Sequence, residues 1–248
     1  MRISPCPDDP ATLPLANSLR VSEDADQHKE GGALQIILGG VAAVAALVYW
    51  LRYAGAETPS PAASCVKTLS TAALALLGWW LNAPLLVVIG LAFGSLGDLA
   101  LSRAGDRAFL AGMLAFAVGH LAYVIEFARL LAAGDPQVGS VFWVTVAAMA
   151  LLVPLTLLWI APKAGGLAWP VRAYALIIGA MALAASLLPH SSGLWLLQIG
   201  VAAFLASDFI LALGKFIATH PRTRLLAARS LWPLYWGGQA LILWGAVL

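Results

Sequence analysis

The stretch GLAFGSLGDLALSRAGDRAFLAGMLAFAVGHLAYVIEF, Gly90 to Phe127, is two hydrophobic segments joined by a short charged turn. Each segment carries one ionisable group that hydrocarbon tolerates poorly, Asp98 in the first and His120 in the second. Such a group inside a membrane segment costs several kcal/mol unless it has a partner or lines a wet cavity, which makes it a functional-site candidate. A third, Asp208, stands in LASDFILALGKF near the far end of the chain. The remaining segments read as a frame that holds these three groups together.

Composition agrees with that reading. Of 248 residues, 61% are hydrophobic and 10% charged, where a soluble domain carries roughly 25% charged residues; mean hydropathy is +0.88. Nearly all of the length goes into apolar segments, so the expected fold is an all-α polytopic membrane bundle filling residues 33–248, preceded by a disordered tail over residues 1–32. That tail holds Pro5, Pro7, Pro10 and Pro14 and the run SEDADQHKE, with no apolar stretch long enough for a signal peptide. The net charge of +2 implies no nucleic-acid partner. Cys6 and Cys65 show no CxxC or ligand spacing, so neither a disulfide framework nor redox chemistry follows. No cofactor is implied, and oligomeric state is not readable.

Hydropathy and the Gly and Pro punctuation predict about eight crossings, near Ala33–Tyr53, Val66–Leu81, Leu85–Ser102, Ala108–Leu131, Val141–Ile160, Pro170–Leu188, Leu194–Phe216 and Leu231–Leu248. Pro154 is expected to kink the fifth. Trp50, Trp79, Trp80, Trp143, Trp159, Trp169, Trp195, Trp232 and Trp244 fall near predicted ends, where amphipathic rings favour the interface; Trp236 sits deeper. Ten Lys and Arg residues fall on one face and four on the face bearing both termini. The positive-inside rule makes the first face cytoplasmic and puts both termini outside.

At 1.5 Å of rise per residue, Asp98 lies roughly 6 Å from the cytoplasmic end of its helix, Asp208 and Gln239 roughly 12 Å, and His120 roughly 18 Å. Lys67, Tyr174, Lys215 and Tyr235 sit nearer the same mouth. These groups predict one water-accessible pocket opening to the cytoplasm. Gly90, Gly94 and Asp98 form an i, i+4, i+8 stripe that brings a neighbouring backbone close. Gly97-Asp98-x-x-Leu101 recurs as Ser207-Asp208-x-x-Leu211, followed one helix later by Gly119-His120 and Gly238-Gln239 respectively. An internal duplication would relate two four-helix halves by an axis along the membrane normal.

Blander readings exist for each group. A lone buried Asp often serves as interhelical glue, a lone membrane His is more often a satisfied hydrogen-bonder than a ligand, and interfacial lysines snorkel. Metal binding by His120 with the two aspartates lacks a second core His, and no metal site is assigned. A transporter or channel for a lipid or cation is the main rival to an enzyme, but the outer halves of the helices offer it little beyond Glu126, Thr145 and Thr156.

GLAFGSLGD in the third segment, FLAGMLAFAVGHLAYV in the fourth, FLASDFILALGKF in the seventh and YWGGQALI in the eighth resemble the YhhN-type lysoplasmalogenase family of multispanning membrane proteins. The resemblance runs from about Lys67 to Leu248, and the tail is outside it. It implies hydrolysis of the vinyl ether bond of a lysophospholipid substrate, giving a fatty aldehyde and glycerophospho-ethanolamine or -choline. Such hydrolysis begins with protonation of the vinyl carbon, so one acid must keep its proton while a second, ionised group stabilises the oxocarbenium ion, as in the two-carboxylate logic of glycosidases. On this resemblance Asp98 and Asp208 share those roles, with no choice between them. His120, held by Tyr123, positions water or relays a proton. Lys67, Lys215, Tyr174, Tyr235 and Gln239 contact substrate, the two lysines at the phosphate.

Overall fold

The structure is a computed structural model that describes residues 13–56 and 60–248, with side chains from Gly31 onward. Among the described residues it is all helical: α1 (Leu13–Arg52), α2 (Pro61–Trp80), α3 (Leu85–Leu101), α4 (Asp106–Ala133), α5 (Ser140–Leu155), α6 (Ala168–Ser186), α7 (Leu194–Phe216) and α8 (Pro221–Val247). Five segments are long and apolar enough to cross a membrane: Gly31–Arg52, Pro61–Trp80, Asp106–Ala133, Ser140–Ser186 and Leu194–Phe216; Leu85–Leu101 is a shorter apolar helix. The chain is a polytopic helical membrane protein. Of the expected tail, residues 1–12 lie outside the described residues and the rest is helical backbone leading into the first span.

Two helix starts differ from the sequence reading. Helix α2 begins at Pro61, not Val66, because Ser60 caps it by accepting from the Ala63 amide at 3.1 Å and Pro61 occupies its first turn. Helix α8 begins at Pro221, ten residues before Leu231, where the His220 ring accepts from the Arg222 amide. The added turns carry Arg222, Arg224 and Arg229 and so fall below a hydropathy threshold while remaining good helix. The return from α2 into α3 is tight, as expected: Asn82 takes the left-handed conformation at φ 54°. The amides of Ala83 and Asn82 close onto the carbonyls of Gly78 and Trp79, a Schellman ending.

The 47-residue apolar run from Ser140 to Ser186 folds back on itself. Pro154 cannot donate to its own helix, and the chain beyond it loosens into a π-helical turn, Thr156–Ile160, and a 3-10 turn, Ala161–Leu167. Gly165 then adopts φ 57°, and Gly179 of α6 returns to lie against Val153 and Met149 of α5. Helix α5 buries little beyond Met149.

Small residues set the tightest seams. A Cβ on Gly119 would stand 3.0 Å from the Gly90 carbonyl oxygen, joining α3 to α4, and one on Gly238 would stand 2.8 Å from that of Gly200, joining α7 to α8. Gly90 precedes Asp98 by eight residues and Gly200 precedes Asp208 by the same interval; Gly119 and Gly238 directly precede His120 and Gln239. The sequence echo therefore coincides with two equivalent backbone contacts. Of the nine tryptophans expected at the interface, eight are exposed, but Trp232 is 2% exposed. Its indole donates to the Ala46 carbonyl at 2.9 Å, so it pins α8 to α1 instead of anchoring to headgroups.

Substituting Gly238→Ala should destabilise the protein by about 1–3 kcal/mol, because the new methyl meets backbone that cannot yield. Its neighbour Gly237, with nothing within 4 Å, should accept alanine at no cost or with a gain of a few tenths of a kcal/mol. Thermal unfolding of the two variants in detergent provides the comparison.

Candidate active site

Helices α2, α3 and α8 assemble the surroundings of Asp98. The Lys67 ammonium lies 3.1 Å from Asp98 Oδ1, and the Thr71 and Tyr235 hydroxyls each donate to Oδ2 at 2.9 Å. Thr71 stands one turn beyond Lys67 on the same face of α2, which is why both reach one carboxyl. Lys67 also lies 5.8 and 5.7 Å from the ring centroids of Tyr49 and Trp232, an aromatic cradle for its charge. Asp98 is 1% exposed. Oδ2 accepts two hydrogen bonds and Oδ1 faces the ammonium, a setting suited to an ionised carboxylate.

Asp208 is built differently, by α4, α6 and α7. The Tyr174 hydroxyl donates to Oδ2 at 2.7 Å, and His120 Nε2 lies 3.5 Å from the same oxygen. On its other side His120 Nδ1 is 2.6 Å from the Phe116 carbonyl oxygen. That oxygen can only accept, so Nδ1 carries a hydrogen and a neutral ring turns its Nε2 lone pair toward Asp208. Two lone pairs facing each other repel. The contact is favourable when one proton resides between ring and carboxyl, on either partner.

Both carboxyls line one cavity of about 420 Å³, within the range of small-molecule sites. Its mouth is formed by Gly55 in the α1–α2 turn, Arg103 and Gly105 in the α3–α4 turn, and Lys215 and Arg224 beside the α7–α8 turn. Gly55, at φ 88°, lies against Leu225 of the early turns of α8. On the deep side the carboxyls are kept apart by aromatic rings: Phe116 packs edge-on against Tyr235 at 5.5 Å, Phe204 lies 5.3 Å from Tyr235 and 4.5 Å from His120. The result is two differently solvated acids facing one space.

Of the residues expected from sequence, Lys67, Asp98, Asp208, Lys215 and Tyr235 line this cavity. His120 is 1% exposed and stands behind Asp208. Tyr123 does not hold His120; its hydroxyl donates to Gln239 Oε1 at 2.6 Å, and both side chains are buried. The close approach has a cause, since Gly90 leaves room for the Tyr123 ring and Gly94 for the Gln239 amide. Tyr174 and Tyr235 are donors to the two carboxyls and not groups at the mouth. Lys215 does reach the mouth, over the Phe109 ring at 5.1 Å and 3.4 Å from the exposed Asp106; such a surface pair is weak. Sequence reading passed over Thr71, Arg103 and Arg224. The first is legible from its i+4 spacing to Lys67, while the two arginines lie in segments read as turns.

Comparison with known proteins follows from these features. The YhhN family profile matches residues 62–246. The chain belongs to the YhhN family. It is 30% identical over 218 residues to a protein named lysoplasmalogenase TMEM86A from Bos taurus, covering 82% of this chain and 85% of that one. It is also 30% identical over 207 residues to lysoplasmalogenase TMEM86B from Rattus norvegicus, covering 80% and 79%. No solved structure matches. In this YhhN family member the site helices α3, α4, α6 and α7 fall inside the matched range, as do α2 and α8 but for one terminal residue each, while α1 lies outside it.

Replacing Lys67 by Met leaves Asp98 buried without its counter-charge and should lower stability by about 3 kcal/mol. The double variant Lys67→Met/Asp98→Asn should recover part of that loss, which a double-mutant cycle of unfolding midpoints will measure.

Proposed function

We propose that this protein is a lysoplasmalogenase-like integral membrane hydrolase that cleaves the vinyl ether bond of a lysophospholipid. The observation that carries this reading is the pair of carboxyls of unlike surroundings on one cavity, in a chain similar to two proteins named lysoplasmalogenase. Asp208, with the proton it shares with His120, is the acid. It delivers that proton to the vinyl carbon remote from the ether oxygen, and the electron pair of the double bond forms the new C–H bond. The adjacent carbon becomes an oxocarbenium ion. Asp98, ionised and facing the same space, stabilises the cation and orients water. Water attacks the cationic carbon, and its surplus proton returns to the Asp208–His120 pair. The resulting hemiacetal collapses, breaking the carbon–oxygen bond to glycerol and leaving a fatty aldehyde and a glycerophospho alcohol.

Lys67 is engaged by Asp98, so the phosphate falls to Lys215, Arg103 and Arg224 at the mouth. The excess of Lys and Arg at that end favours a cytoplasmic mouth with both termini outside, and about eight crossings. Against transport, few polar groups stand in the outer halves of the helices. Thr145 donates to the Val141 carbonyl and Glu126 lies 3.5 Å from Arg129. Thr156, expected in the outer half, stands at the Asp208 end and donates to Leu152.

Aldehyde release from a lysoplasmalogen by the purified protein tests the proposal. Asp208→Asn and Asp98→Asn, matched for folding, should each lower kcat by about 100-fold or more. Lys215→Met should raise KM more than it lowers kcat. No aldehyde from folded wild type, together with lysolipid or cation flux in reconstituted vesicles, would instead make the protein a transporter.

A further inference from the structure

A second, apolar space meets the polar cavity at Asp208. It lies between α4, α5, α6 and α7, and Leu101, Phe109, Phe116 and Leu211 line both spaces along with Asp208. Past Met149 and Leu205 it continues into a third space of about 510 Å³ between α5, α6 and α7, which those two residues also line. The three spaces adjoin in series, polar and cationic at one end and apolar from Asp208 onward, the middle one narrow at about 70 Å³. The few polar side chains along the far part are satisfied within the protein. Thr145 donates to Val141, Ser186 to Leu183 and Gln198 to Ala185, so most of their hydrogen-bonding is spent within the protein.

We infer that this trough holds the single hydrocarbon chain of the substrate, with its phosphate in the cationic mouth and its first carbons against Asp208. The inference rests on the hydrolase reading for the bond that is cut, but the chain slot is a binding claim of its own. Two observations select the occupant. The trough joins a mouth bearing Lys215, Arg103 and Arg224, which calls for an anionic headgroup on the same molecule. It runs along α7 from Asp208 to Trp195, thirteen residues or about 20 Å, long enough for an extended fatty chain. The chain then runs from the charged end past the bilayer centre toward the opposite interface, where Trp195 stands.

Ala148 and Ala202 line the trough beyond the Met149–Leu205 neck. Ala148→Phe and Ala202→Phe should lower kcat/KM for a long-chain substrate by at least about tenfold relative to a short-chain one that ends before the neck, since lost methylene contacts in an apolar pocket are worth that much. Ala180→Phe, on an exposed position of α6 outside the trough, should leave the ratio unchanged. Ala148→Val serves as the milder substitution if either Phe variant fails to fold, and should shift the ratio in the same direction. An unchanged ratio in folded, active variants overturns the slot and leaves the hydrolase standing. If wild type releases no aldehyde, the hydrolase reading fails, and the slot is tested by displacement of a fluorescent lysophospholipid with saturated 1-O-alkyl lysophosphoethanolamines of graded length. Loss of the preference for long chains in the Phe variants then supports the slot, and equal chain-length dependence in all variants refutes it.

Discussion

The carboxylate of Asp98 inside a hydrocarbon-embedded bundle is the constraint on which the rest of the structure depends. A charge there persists only when the protein replaces water on every side. Lys67, Thr71 and Tyr235 do so from two other helices, and each needs its own support. Lys67 rests against Tyr49 and Trp232, and Trp232 is in turn tied to the α1 backbone. One buried carboxyl thus ties α1, α2, α3 and α8 together. Asp208 has fewer donors, with Tyr174 bonded to it and His120 Nε2 3.5 Å away, and faces the same cavity.

That asymmetry is the chemical content of the fold. In the proposed reaction that difference lets one group donate a proton while the other steadies the cation formed. Gly97-Asp98 and Ser207-Asp208 occupy matching places on matching helix pairs, so the difference arises from their neighbours. Lys67 reaches the first carboxyl and Tyr174 the second, from α2 and α6 respectively.

Much of this was legible in the sequence for a simple reason: an ionisable residue among leucines announces itself. Asp98, His120 and Asp208 were found that way, as were the helix pairs carrying them. Partner choice was not legible. Whether Lys67 meets a phosphate or a carboxylate, and whether Tyr123 meets His120 or Gln239, depends on rotation and approach of helices distant in sequence. The starts of α2 and α8 were missed because hydropathy detects burial in lipid, whereas Ser60-Pro61 and His220-Pro221 begin helices by capping. Trp232 was misplaced because its position near a predicted end concealed a buried hydrogen bond.

The glycine seams bear on how such a chain changes over evolutionary time. At Gly119, Gly200, Gly238, Gly193 and Gly245 even one methyl group meets backbone, and at Gly90 it meets the Tyr123 ring, so these four helices have little freedom to drift. Helix α5, which buries little beyond Met149, is free to exchange one lipid-facing residue for another. Divergent descendants of this architecture would retain a recognisable rhythm of small residues in α3, α4, α7 and α8 long after α5 had lost all likeness. The recognition signature of the fold thus resides in its points of closest backbone approach, and it would outlast a change of substrate.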